Sequence, residues 1–554
     1  MQSSDTVSTL SAESVDLVAS RMSKEVLQNV EIGEEENGKG VLRNTVNVPE
    51  TETETEIRID HDRTMLAEPN YQDISLSREI GFMVLMCLSQ LLTQAAVSQT
   101  MISADYIAPT FGVSGSPGEI SWFSASFSLT VGTFILISGR LGDMYGYKLL
   151  YIVGYIWFAV FSLATGFAGF GSSSVLFNVM RALQGIGPAI MMPNSQALIS
   201  SFYPNTFRKS ICMCLFGAVA PSGFTLGAFF SAIFAQFSWW PWTFWVCGIV
   251  SFFVAICAYF VIPNKIGTRS SVSFDFYGSA AGVAGMVLIN FAWNQGPVVG
   301  WDKPYVYSML IVGIFCIIGF FFIEKKVKDP LISQEVLKGE TGAVLCCIAA
   351  GWSTFGIWLF YYFRWSMLVD GDTPILSVTK SLVVIFPGFI AALSTGYLVH
   401  RIPSSFILLI AMLAFFTGIV LMGTRPVGQI YWSQKFVSLI IEPFGMDMSF
   451  PAACIILSGA LPAAQQGMAG SLVSTFVNYS ISIGLGIAGT VEYYVTKNME
   501  PSLDTTVYGM RRAFQMGYGL AGLGVLIACS FVYIQLVQRR KEANQESVGK
   551  NSLG

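Results

Sequence analysis

From Ile80 to Val537 the chain repeats one pattern: a long apolar run, then a short polar break. A bilayer-crossing helix needs about 20 predominantly apolar residues. Fourteen runs meet that length, near 80–101, 120–138, 149–169, 175–199, 211–235, 241–262, 277–296, 305–324, 342–362, 379–399, 405–423, 433–457, 469–493 and 515–537. The seventh is rich in glycine, and the twelfth contains Glu442, Pro443 and Asp447. A helix of a soluble core carries a polar outer face along its whole length. The 185 residues from Ile80 to Asn264 hold only eight charges, so they cannot form such a core. The fold predicted is an all-α membrane protein with fourteen spans.

The polar breaks then assign sides. With an even number of spans both termini share a side. Arg140 and Lys148, Arg208 and Lys209, Lys265 and Arg269, Lys325, Lys326 and Lys328, and Arg401 all fall in breaks on that side, and Arg539, Arg540 and Lys541 follow the last span. The first three breaks on the other side hold no Lys or Arg. Basic loops stay in the cytosol, so both termini are expected there. The last outer loop, with Lys497, Arg511 and Arg512, is the exception. Trp239, Trp240, Trp242 and Trp245 suit an outer interfacial belt. Basic breaks near 264–275 and 325–340 bracket the seventh and eighth runs, giving a division of six, two and six. The expected organisation is an acidic cytosolic tail over 1–78, a six-helix bundle over 79–263, two extra helices over 264–340, a second six-helix bundle over 341–538, and a tail over 539–554.

Composition agrees: 53% of residues are hydrophobic and 12% charged, against about 25% charged in soluble domains. The tail, with Glu34, Glu35, Glu36 and a Thr-Glu run from Thr51 to Glu56, is too polar to offset ordering entropy and reads as disordered. It has no apolar segment of a cleaved signal peptide, so the first span is expected to direct insertion. All ten cysteines lie in apolar segments, as buried free thiols. His61 and His400 are too few and too far apart for a metal site.

Several polar groups stand where apolar ones are the rule. The break from Gly139 to Lys148 reads Gly-Arg-Leu-Gly-Asp-Met-Tyr-Gly-Tyr-Lys. Its glycines Gly139, Gly142 and Gly146 permit a tight turn, Asp143 is placed to cap the next helix, and Arg140 and Lys148 mark one membrane face. In the fourth span Arg181, Gln184, Gly185 and Gly187 form Arg-Ala-Leu-Gln-Gly-Ile-Gly-Pro-Ala. An intramembrane Arg is costly unless paired or wetted, so it faces the lumen or snorkels to the outer interface. The fifth span carries Gly217, Pro221, Gly223 and Gly227; the proline permits a bend and the glycines close packing. Glu442 and Asp447 lie between prolines in the twelfth span. They read either as proton or cation sites, Asp447 first, or as lining of a polar lumen. Gln90, Thr93, Gln94, Ser98 and Gln99 in the first span, and Asn478 in the thirteenth, offer polar contacts. Trp293 to Pro297 reads as a capped outward terminus. There is no Gly-x-x-x-x-Gly-Lys phosphate loop and no catalytic constellation, so neither an ATP motor, a cofactor nor an enzyme is expected.

The strings around Gly139 and Arg181 resemble the signature motifs of the major facilitator superfamily, and the fifth-span run resembles that of its proton-linked antiporters, with Ala220 where glycine is usual. The resemblance covers about 79–540. Phe291 to Pro297, Phe444 to Pro451 and Val477 to Ser482 look like the fungal fourteen-span drug:proton branch, near the yeast aminotriazole and boron resistance exporters and a related low-affinity ammonium transporter. The resemblance implies alternating-access transport of a small molecule, with the Gly139 motif latching the inner face and the plasma membrane favoured over the vacuolar. Leu91-Leu-Thr-Gln94 departs from the first-span acid of drug-exporting relatives, so coupling falls to Asp447, Glu442 or Asp105, or is absent. Proton-coupled efflux of drugs or small toxic solutes leads; an ammonium facilitator and a transporter-like sensor are the alternatives. The expected partners are a small solute, protons and the bilayer, with no nucleic acid and a monomeric chain.

Overall fold

The computed structural model describes residues 30–33, 41–44 and 75–551, apart from 115, 204–206, 265–273, 328–330, 333–338, 400 and 461–465. Most of the acidic tail, both histidines and parts of the 264–275 and 325–340 breaks lie outside the described residues. Within the tail, β1 (Val30–Gly33) pairs antiparallel with β2 (Val41–Asn44), Val30 opposite Asn44.

The rest is helical. In chain order the helices are α1 (Leu76–Ile107), α2 (Pro117–Tyr145), α3 (Tyr147–Phe167), α4 (Ser174–Phe202), α5 (Phe207–Phe237), α6 (Trp242–Val261), α7 (Phe276–Val299), α8 (Pro304–Glu324), α9 (Gly339–Leu368), α10 (Pro374–Ser381), α11 (Ile385–Leu398), α12 (Ser404–Gly423), α13 (Gln434–Ala460), α14 (Gln466–Thr496) and α15 (Leu503–Asn551). They make fourteen spans, with α10 and α11 forming one. Only a helix satisfies all its own backbone groups in a bilayer, so each apolar run folds on itself. The polar chemistry sits at the ends. Ser173, Asp275 and Thr373 cap α4, α7 and α10 by accepting from the backbone of Leu176, Gly278 and Leu376.

Four local readings are corrected. The Gly139–Lys148 break is not a loop: α2 runs through it to Tyr145, and the turn is the single residue Gly146, at φ 102°. Asp143 does not cap α3. It sits inside α2 and accepts a hydrogen bond from the Tyr147 hydroxyl at 2.8 Å. Trp293 to Pro297 is no helix terminus, because α7 continues to Val299 and ends on Gly300, at φ 95°. Arg511 and Arg512 belong to the first turns of α15, not to a loop.

Small residues decide which helices touch. A methyl on Gly223 would lie 2.5 Å from the Leu91 carbonyl oxygen, and one on Gly227 would overlap Ala95, so α5 lies backbone to backbone on α1. Gly185 and Gly187 do the same for α4, against Phe127 of α2 and Phe158 of α3. Helices α9 and α11 to α15 pack among themselves, as do α1 to α6. The two groups meet along two seams. At one, Gly132 of α2 lies against Tyr479 of α14; at the other, α5 meets α10 and α11. Helices α7 and α8 pair, and α7 lies over the first seam, on both α2 and α14. There Asn294 donates to Asn290 Oδ1 at 2.8 Å and to the Ser482 carbonyl at 3.3 Å, and the Ser482 hydroxyl donates to Asn290 Oδ1 at 2.8 Å.

Candidate functional site: a cavity between the two bundles

Between the bundles lies a cavity of about 1940 Å³. Arg140, Asp143, Lys209 and Arg401 line its mouth, so it opens on the face that carries the basic breaks. Gln90, Thr93 and Gln94 of α1 and Gly217 and Pro221 of α5 form one wall; Trp352, Phe355, Trp358 and Tyr362 of α9 form another. Hydroxyls on α13 set the tryptophans: Trp352 donates to Ser449 at 3.1 Å and Trp358 to Ser438 at 2.7 Å.

Glu442 and Asp447, both on α13, look into this space. Glu442 is 1% exposed and packs against Gly418 of α12; neither of its carboxyl oxygens has a hydrogen-bond partner among the described residues. Asp447 Oδ2 is also buried without a partner. A methyl on Gly388 of α11 would lie 2.8 Å from that oxygen and 3.3 Å from Pro221 Cγ, so Asp447 stands at the second seam, where the bundles meet. Pro443 and Pro451 each remove a backbone hydrogen bond from α13 around these acids. A buried carboxylate without a partner is costly. A proton, or a cation bound between the acid and the aromatic wall, removes the cost. Among the described residues no basic side chain answers these acids inside the cavity; the cations that line it are at the mouth.

Other predicted residues divide by place. Gln94 and Asn478 line the cavity, with the Asn478 amide turned back onto the Ser474 carbonyl at 2.9 Å. Gln99 does not: its amide donates to the Thr243 carbonyl within the first bundle. Gly139 faces Ser471 of α14, and a side chain at Gly142 would overlap Asn194 of α4. Lys148 leaves the mouth and caps the end of α6, donating to the carbonyls of Tyr259 at 2.9 Å and Ile262 at 2.5 Å. Arg181 is neither in the cavity nor at an interface. It is fully buried, donating to Gln184 Oε1 at 2.6 Å, the Ala96 carbonyl at 3.0 Å and the Phe123 carbonyl at 3.2 Å, with its guanidinium 4.6 Å from the Phe127 ring centre. Gln184 passes the contact on to Ser162 at 2.8 Å.

Asp105 also lies outside the cavity, at the opposite face. Its Oδ2 is buried and without a hydrogen bond among the described residues, and its charge acts on Arg364 of α9. Arg364 pairs with Glu492 of α14 at 3.5 Å, and Tyr361 donates to the same Glu492 oxygen at 2.6 Å. Beside them is a cluster that the sequence reading passed over. Asp370 binds Arg425 at 2.8 Å and Lys435 at 2.9 Å; Asp372 binds Lys380 at 2.5 Å and Lys435 at 3.3 Å. Its signal was two acids in one outer break and three bases bordering the outer breaks. Inward of this layer the Phe224 and Phe363 rings stack across the bundles at 6.2 Å. The cavity is closed here and open at the basic face.

Comparison with known proteins agrees with this architecture. A model of the Major Facilitator Superfamily matches residues 86–485. The low affinity ammonium transporter of Saccharomyces cerevisiae is 46% identical, over 87% of this chain and 94% of that protein. Efflux pump terJ of Aspergillus terreus is 39% identical, over 82% and 88%. The aminotriazole resistance protein of Saccharomyces cerevisiae is 36% identical, over 85% and 87%. Fourteen helical spans, two bundles about a central cavity and these relatives together mean that the chain belongs to the Major Facilitator Superfamily, in the branch that holds these fungal transporters.

Proposed function

We propose that this transporter exports small solutes that carry a positive charge or accept a proton, in exchange for protons held at Asp447 and Glu442. Membership of the superfamily makes it an integral, multi-pass transporter of small molecules. The substrate class and the coupling are our reading. One observation carries it: a buried Glu442 and the buried Oδ2 of a half-buried Asp447, both without partners among the described residues, facing an aromatic wall in a cavity whose lining cations are at the mouth. Such a site has nothing to hold in boric acid, which is uncharged at neutral pH and accepts no proton, and favours an ammonium-like or heteroaromatic cation. Proton and solute compete for the same carboxylates, so each leaves as the other binds. The bundles rock about the site, with the Gly139 motif latching the basic face, which we assign to the cytosol. The plasma membrane is the proposed location, and a monomer the working unit.

The test is internal pH in proteoliposomes that hold the purified protein, with aminotriazole, ammonium and borate offered in turn under a proton gradient. Protons should move with aminotriazole or ammonium and not with borate. Asp447→Asn should abolish that movement while the amount of inserted protein stays normal. Borate-linked protons would overturn the charge argument. Solute flux without protons would favour a facilitator instead, a reading that the 46% identity to an ammonium transporter supports.

A further inference from the structure

Outside the cavity, at the basic face, two carboxyl groups of the α7–α8 pair are buried side by side. Asp275, the residue before α7, is 7% exposed, and Glu324, the last residue of α8, is 4% exposed. Each spends one oxygen on the backbone. Asp275 Oδ1 accepts from Gly278 at 2.9 Å and Glu324 Oε2 from Ile332 at 3.4 Å. The other two oxygens, Asp275 Oδ2 and Glu324 Oε1, are buried without a partner among the described residues. Both look into one small space, kept open because residue 278 is glycine: a methyl there would overlap Oδ2 and lie 3.2 Å from Oε1. Among the described residues, Asp275 and, from the end of α2, Arg140 act on Glu324 by their charge, while Lys325 and Lys326, the next two residues, are exposed. Arg140 forms no ion pair with either acid among the described residues.

Two like charges in a shared buried space cannot both ionise cheaply, and such a pair titrates as a unit. We propose that Asp275 and Glu324 form a proton-binding site that holds one proton between Oδ2 and Oε1, apart from the transport cavity. A metal ion fits less well. Hard cations require six or more oxygens, whereas two converge here, and no third His, Cys, Asp or Glu joins them among the described residues. Release of the proton leaves two negative charges near Arg140. Arg140 also lines the cavity mouth, so the site makes that mouth responsive to pH on the basic face.

Infrared spectroscopy of the full-length protein in nanodiscs, titrated through neutral pH, counts protonated carboxyl groups. Glu324→Gln should lose one such group at neutral pH, and Asp275→Asn should move the titration of the remaining group to lower pH, because the like charge is gone while the burial stays. Asn still caps α7, so Asp275→Asn keeps the helix start if Glu324→Gln does not fold. The signals of Glu442 and Asp447, identified by their own Gln and Asn variants, should stay in place, which separates this site from the cavity. The full count in Glu324→Gln, or an unmoved titration in Asp275→Asn, would overturn the shared proton. So would a protonated group that appears only after sodium and magnesium are removed, which would make the ligand a metal cation.

Discussion

Arg181 has no carboxylate partner among the described residues. Carbonyls of α1 and α2, the Gln184 amide and two aromatic faces, Phe127 and Phe244, solvate it in place of water. The guanidinium suits this role because its planar fork reaches several acceptors at once, which an ammonium does not. Arg181→Lys should therefore leave at least one of those acceptors unmet, at a cost of about 1–3 kcal/mol. Thermal melting in detergent should drop, while transport per folded molecule is largely kept. A lumen-facing role would show the reverse, with normal melting and lost transport. The sequence marked Arg181 as unusual because an intramembrane charge stands out in an apolar run. It did not reveal the partners, which lie 58 and 85 positions away. The same distinction explains Asp105. Its acid was visible in the chain, but its place beside Arg364 depends on how α1 meets α9.

At the scale of elements, glycine spacing carries more structure than the charged motifs do. The fifth-span run serves two ends. Gly217 and Pro221 face the cavity, whereas Gly223 and Gly227 let α5 press on α1. A large side chain at Gly227 has nowhere to go, since backbone atoms of Ala95 occupy the space. Gly227→Leu should cost about 1–3 kcal/mol by overpacking and reduce the folded yield measured by size-exclusion chromatography. Gly217→Ala, with no atom within 4 Å of its new methyl, should fold normally. The fourteen spans were legible because apolar length is a local property. Their ends were less so. Gly146 alone makes the α2–α3 turn, although Gly139 and Gly142 in the same string are equally able to turn in isolation. Their actual roles, against Ser471 and Asn194, depend on α14 and α4.

For the whole molecule, the closed face is held by charge. Asp370 and Asp372 gather Arg425, Lys435 and Lys380 from three different spans or their borders. Burial pushes the Asp372 carboxyl up, but hydrogen bonds from Lys380 and Ser366 and the charge of Lys435 outweigh it and hold the group below its ordinary range. The folded state thus favours the ionised acid. Its contribution is complete above the unfolded value of about 3.9 and is lost as pH falls through the lower folded value. The difference in melting temperature between wild type and Asp372→Asn should hold constant above about pH 4 and close below it. A difference that vanished near neutral pH would remove the cluster from the stability of this face. The sequence held all five residues, but their pairing spans 55 to 65 positions between Asp370 and its two bases, and only the closed arrangement of α9, α12 and α13 brings them together.

The two seams between the bundles are not equivalent, because α7 lies over α2 and α14 and nothing comparable covers α5 and α11 among the described residues. Leu393 and Tyr397 of α11 line the cavity and yet are 71% and 62% exposed, and Ile211 and Leu215 of α5 are about half exposed across from them. Among the described residues the seam at α5 and α11 is thus the thinner of the two, while α7 walls the other. If that seam parts to lipid, the rate of capture should rise with the oil–water partition of the solute; entry by the basic face alone should follow its concentration in water.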